Sequence, residues 1–164
     1  MPLAPAITDR EALQDRPEVA RLVAANSAAV TGARFDRDEL TIGLDRAFIR
    51  EAVARLRDDA ALAYNFFSDL TCVDLHPSAP RFEVVYHLLS QPRKTRVRLK
   101  VRLAEDEPIE SITSVWPAAN FFEREVFDLF GIRFVGHPNL IRLLMPEDWE
   151  GHPLRKDYPV EGYR

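Results

Sequence analysis

Two histidines share a local setting, His137 in Gly136-His-Pro138 and His152 in Gly151-His-Pro153, and an imidazole pair is the first feature here that could ligate a metal. The segment between them is irregular, no cysteine accompanies them, and neither His-x-x-x-His nor His-x-His spacing occurs, so a zinc ligand set is incomplete. Histidines that turn the chain and bond backbone groups through their ring nitrogens fit this setting better. The sole cysteine, Cys72, excludes an internal disulfide and cannot by itself hold a cluster; it reads as a small buried apolar residue. No serine or cysteine has the context of a nucleophile, and no glycine-rich phosphate loop follows a strand. Nothing in the chain resembles an active site.

Glu123 is the remaining candidate. Residues about 100° apart on a helix put it between Phe127 and Phe130, inside the apolar arc, with Arg124, Glu125 and Asp128 on the opposite side or its flank. An unpaired buried carboxylate costs several kcal/mol or neutralises itself. The expectation is that Arg133, Arg142 or Arg155 pairs with Glu123 and so clamps the C-terminal tail to the domain. A catalytic proton carrier is the rival role.

The elements that must position these residues follow from periodicity. Asp9 to Ala25 fits a helix with an imperfect stripe broken at Pro17. Ala28 to Phe35 and Glu39 to Leu44 read as a hairpin turning at Asp36 to Asp38, and Asp45 caps a helix that ends at Asp58-Asp59. Leu70 to Leu75 is a short strand and Arg81 to Leu89 a clear one. Val97, Leu99, Val101 and Leu103 then alternate with Arg96, Arg98, Lys100 and Arg102, giving one core face and one cationic ladder. That ladder repels itself; it is either a solvated face or a docking surface for an acidic partner. Glu105 to Pro108 turns out of the sheet, Ile109 to Trp116 fits a short helical turn, and Phe122, Val126, Leu129 and Phe130 mark a helix closed by Gly131. The fold class is α+β: residues 1–131 form a two-layer domain with a mostly antiparallel four- to five-stranded sheet covered by helices, and 132–164 a long irregular tail.

That tail is broken every few residues by glycine or proline, yet Ile132, Phe134, Leu140, Ile141, Leu143, Leu144, Met145 and Trp149 keep it apolar. Its composition is wrong for disorder, and it would expose a large apolar patch. Either it wraps back over its own domain or it lies on another protein, and the expectation is that it is stable only when a second polypeptide covers it.

The run E-R-E-x-x-D-L-F-G-I-x-F-x-G-H-P from Glu123, continued by M-P-E-D-W-x-G-H-P-L-R-K-D-Y-P, closely resembles the C subunit family (30 kDa) of respiratory complex I, the proton-translocating NADH:quinone oxidoreductase. The specific part spans Glu123 to Pro159, and looser likeness reaches back to about Val30; the family often has a basic residue where Ile141 stands. The resemblance implies a cofactor-free structural subunit without a metal, packed against the D (49 kDa), B and I subunits, with FMN and iron–sulfur clusters carried elsewhere in the complex. It also implies a peripheral position on the cytoplasmic side of the bacterial inner membrane. Arg142, Trp149, His152, Arg155, Lys156, Asp157 and Tyr158 are the expected partner contacts, since Trp, Tyr and Arg dominate such sites. Arg96 and Arg98 on the ladder rank second. Related membrane hydrogenases and other dehydrogenases use homologous subunits; a free-standing small-molecule-binding module is the alternative of another class.

Composition agrees with an interaction subunit. A formal charge of −4 over 164 residues argues against a nucleic-acid binder. No stretch approaches the roughly 18 to 20 apolar residues that span a bilayer. The start M-P-L-A-P-A-I-T-D-R lacks the pattern of a signal peptide.

Overall fold

The computed structural model describes residues 6–163. Met1–Pro5, at the start of the stretch read for a signal peptide, and Arg164, at the end of the tail, lie outside them.

Three α-helices and seven strands follow in the order β1 (Val30–Asp36), β2 (Glu39–Leu44), α2 (Ile49–Asp58), β3 (Phe66–Asp74), β4 (Phe82–Ser90), β5 (Thr95–Leu103), β6 (Ile109–Glu110), α3 (Ala119–Phe130) and β7 (Phe134–Val135), with α1 (Pro17–Ala25) preceding them. Five strands make one sheet in the order β1-β2-β5-β4-β3. Within that sheet the β2–β5 pairing is parallel and the other three are antiparallel. The parallel pairing puts α2, β3 and β4 between two strands that lie side by side.

Strand alternation builds the core. Leu40, Ile42 and Leu44 of β2, Val97, Leu99, Val101 and Leu103 of β5, and Phe82, Val84, Tyr86 and Leu88 of β4 are buried, as are Val19, Leu22, Val53, Leu56 and Val126 from the helices. Each such aliphatic or aromatic side chain contributes about 1.5–3 kcal/mol on full burial. Cys72 belongs to this core, and burial pushes its thiol up to about 12.

Three expected elements are redrawn. The first helix starts at Pro17, with only a 3-10 turn at Glu11–Leu13 before it, because proline is tolerated at the first helical position but clashes within a helix. β3 begins at Phe66, four residues earlier than its apolar run indicated, since its first residues face solvent alternately. Ile109–Glu110 is a strand, pairing in parallel with β7; the helical turn is confined to Ile112–Trp116, where the Val115 and Trp116 N–H groups donate to the Ile112 carbonyl.

Candidate functional site

α3 and the segment 132–163 form one construction. The helix ends at Gly131, whose φ of 80° is left-handed, and whose N–H donates to the Phe127 carbonyl. A Cβ there would also lie 2.6 Å from His152 Nε2 and 2.7 Å from Arg155 Nη2. Glycine is therefore needed twice, for the backbone turn and for the close approach of the returning chain.

The last four carbonyls of a helix lack intrahelical partners. Here the C-terminal segment supplies the rest. His152 Nδ1 bonds the Asp128 carbonyl at 2.8 Å, the Leu154 N–H donates to the Leu129 carbonyl at 3.1 Å, and Arg155 Nε donates to the Phe130 carbonyl at 2.7 Å. The segment is thus a strap laid across the end of α3.

Its principal anchor is Asp128, fully buried, which accepts four hydrogen bonds from it. Oδ2 takes the N–H groups of Leu143, Leu144 and Met145 at 2.9, 2.7 and 2.9 Å, and Oδ1 takes Arg142 Nη1 at 2.7 Å. Arg142 then donates through Nη2 to the Trp149 and Gly151 carbonyls at 2.8 and 3.1 Å. Burial alone would push the Asp128 carboxyl up, but the bonds from Met145, Leu144, Arg142 and Leu143 outweigh it and hold it below the usual carboxylate range. Further along, Arg81 is 7% exposed and bonds Asp74, Glu105 and Asp157, while the Lys156 N–H donates to Asp74 at 2.8 Å. The Arg81 hydrogen bonds hold the Asp74 carboxyl well below its ordinary value.

Glu123 is fully buried as expected, but it is not the clamp. Its Oε1 accepts the Ile112 N–H at 2.7 Å, and Oε2 has no hydrogen-bond partner. Arg142 and Arg155 go to the groups above, and Arg133 reaches only the Asp106 carbonyl, at 3.5 Å. Burial pushes the Glu123 carboxyl up to about 7, against the opposing pull of Ser111 and the Ile112 N–H. The strap's donors go to Asp128 instead, and among the described residues no guanidinium pairs with Glu123.

Arg142, His152, Arg155 and Asp157 of the strap are met by its own domain, while Ile141, Leu144, Trp149, Leu154 and Val160 are exposed, Trp149 at 40% and Leu144 at 56%, together with Glu147, Asp148 and Glu150. Of the expected partner contacts, Arg142 and Arg155 are drawn inward, His152 caps α3, and Asp157 bonds Arg81. Tyr158 donates to the Glu150 carbonyl, and Lys156 projects outward. Trp149 faces out.

The histidines act on backbone. His137 Nδ1 accepts the Asn139 N–H at 3.0 Å, so its Nε2 donates to the Asn120 carbonyl at 3.2 Å. Burial lowers the pKa of both His137 and His152. Among the described residues no group of three His, Cys, Asp or Glu side chains lies close enough to hold a metal ion.

On the open face of the sheet the cationic ladder has its own counter-ions. Arg98 bonds Glu39, Thr41 and His87, and Lys100 bonds Glu83 at 2.6 Å. Arg102 donates to the Pro80 carbonyl, and Arg96 is exposed. Strands β2 and β4, flanking β5, bring the acids that relieve the self-repulsion.

Sequence reasoning missed Asp128, Asp74 and Arg81. For Asp128 a signal existed: a carboxylate in the last turn of a helix opposes the helix dipole, so its presence there calls for another purpose.

The architecture defines a class, a two-layer α+β domain carrying a C-terminal strap fastened by side chains and turned apolar side outward. The particular family follows from comparison. Residues 42–164 match the family model of the respiratory-chain NADH dehydrogenase 30 Kd subunit, and the chain belongs to that family. It is 51% identical over 148 residues to the C subunit of NADH-quinone oxidoreductase from Roseiflexus castenholzii, covering 89% of this chain and 85% of that one. It is 52% identical over 127 residues to the same protein of Citrifermentans bemidjiense, covering 77% and 78%. Among solved structures, a chain of the membrane-bound sulfane sulfur reductase, an archaeal respiratory membrane complex, superposes with a TM-score of 0.74 over 90% of this chain and 86% of that one. Its identity is 23%, and the likeness concerns the fold. The protein is therefore one subunit of a multi-subunit respiratory NADH:quinone oxidoreductase, complex I.

Proposed function

We propose that this chain is a cofactor-free structural subunit of the peripheral arm of proton-translocating NADH:quinone oxidoreductase, holding the redox subunits of the quinone module in register. It packs against the D, B and I subunits on the cytoplasmic side of the bacterial inner membrane, while FMN and iron–sulfur clusters sit on other chains. It performs no chemistry itself. The observation that carries this reading is the strap: three sets of part-buried polar contacts hold it to its domain while Ile141, Leu144, Trp149 and Leu154 are left facing outward. A rigid surface of that kind loses little conformational entropy on docking. In this reading attachment to the membrane runs through partner subunits; no helix among the described residues is long and apolar enough to cross a membrane.

The test is affinity purification of the tagged chain from membranes, with absorption spectra of the complex and of the chain alone. The expected result is co-purification with cluster-bearing subunits and a chain without flavin or cluster absorption. A chain that purifies alone, or that carries its own chromophore, overturns the proposal.

A further inference from the structure

The strap's outward face has a charge as well as an apolar character. Two arginines tie the strap to Phe121 of α3 and to itself: Arg124 lies 5.9 Å from the Phe121 ring centroid and donates to the Ile141 and Arg142 carbonyls, and Arg142 donates in turn to the Trp149 carbonyl. Phe121, Ile141, Leu144 and Trp149 are all exposed there. Both guanidiniums of the neighbourhood are thereby engaged on backbone oxygens or Asp128. The acids are not. Glu147, Asp148 and Glu150, on either side of Trp149, are exposed, and among the described residues their carboxylates form no ion pair or hydrogen bond.

We propose that the face made by Phe121, Ile141, Leu144 and Trp149 docks a protein surface of basic chemistry, an apolar socket for Trp149 rimmed by arginine and lysine that meet Glu147, Asp148 and Glu150. This rests on the scaffold reading and specifies its partner. The charge decides against the other occupants. An anionic lipid surface would be repelled by three free carboxylates, and a second copy of this chain in a twofold contact would set the same acids against each other. Buried aromatic anchors ringed by complementary charge are the usual centre of such an interface.

The experiment uses the whole complex assembled in cells, with a photo-cross-linking phenylalanine analogue at position 149 and the cross-linked peptides identified by mass spectrometry. A cross-link to an arginine- and lysine-rich segment of another subunit is expected. Replacing the acids together by Glu147→Lys, Asp148→Lys and Glu150→Lys should lower its yield about tenfold, and the glutamine and asparagine equivalents should fall between. Hydrogen exchange of the strap is read in each variant; if the lysine set disturbs it, the neutral set alone decides. A cross-link to an acidic or uncharged segment, to lipid or to a second copy, or a yield unchanged by the neutral set, overturns the basic-partner inference while the scaffold reading stands. A chain that no longer co-purifies with any subunit even without substitutions overturns the scaffold reading itself.

Discussion

Glu123 and Asp128 lie five residues apart on α3, both fully buried, and they live in opposite chemistry. Glu123 faces the sheet, accepts one backbone N–H and leaves an oxygen without a partner, so its proton is retained toward neutral pH. Asp128 faces the strap, accepts one guanidinium and three backbone N–H groups, and stays ionised. Burial acts on both in the same direction. What separates them is the number of donors that cross the helix on each side, which teaches that burial alone does not fix a carboxylate's charge.

The largest effect that can break this contrast is Asp128→Ala. It leaves Arg142 and three N–H groups without their acceptor, and a loss of roughly 3–5 kcal/mol is expected from denaturant unfolding, with hydrogen exchange rising first at Leu143, Leu144 and Met145. Exchange confined to Glu123's side of the helix would contradict the assignment of the clamp.

Glu123→Gln comes next and has the opposite sign. An ordinary glutamate loses its proton near 4.5, whereas buried Glu123 holds it to about 7. Below 4.5 folded and unfolded chains are both protonated; across the window up to 7 the unfolded chain releases its proton first, so stability falls by about 3 kcal/mol and then levels off. Glu123→Gln should abolish that decline and be more stable than the wild type above pH 7. Equal pH slopes for the two proteins in urea melts would refute the neutral Glu123. Asp128, whose carboxyl is held low, contributes stability that is present above the ordinary aspartate range and lost as pH falls below it, so acid should loosen the strap while relieving the core.

Smaller effects sharpen the picture at the edges. Asp157→Ala removes one of three acids around Arg81, and its own half-exposed side chain limits the cost to about 1 kcal/mol or less, seen as faster proteolysis after Leu154 with an unchanged global melt. Arg96→Ala on the open sheet face should change stability by no more than about 0.5 kcal/mol, because it is exposed and makes no ion pair or side-chain hydrogen bond among the described residues. A larger loss there would mean the ladder is structural.

Much of this was legible in advance where residues act through near neighbours. The alternation in β4 and β5, the turn expected at Asp36 to Asp38, which falls at Arg37 and Asp38, and the glycine stop at Gly131 are local matters of sterics and period two or 3.6. The helical wheel likewise put Glu123 inside. It could not say which stretch would cross which side of α3, and so gave no sign that Arg142 meets Asp128 or that Arg155 meets the Phe130 carbonyl.

The sequence by itself determined most of the elements, the apolar faces and the family, because each is written in residue types at short spacing. Only the tertiary structure decided that β2 lies beside β5, that Asp128 rather than Glu123 holds the strap, and that Arg142 and Arg155 turn inward while Trp149, Glu147, Asp148 and Glu150 turn outward. Those outcomes join residues from about 14 to more than 75 positions apart, and a charge's partner is set by where the folded chain passes in space, which no local pattern encodes.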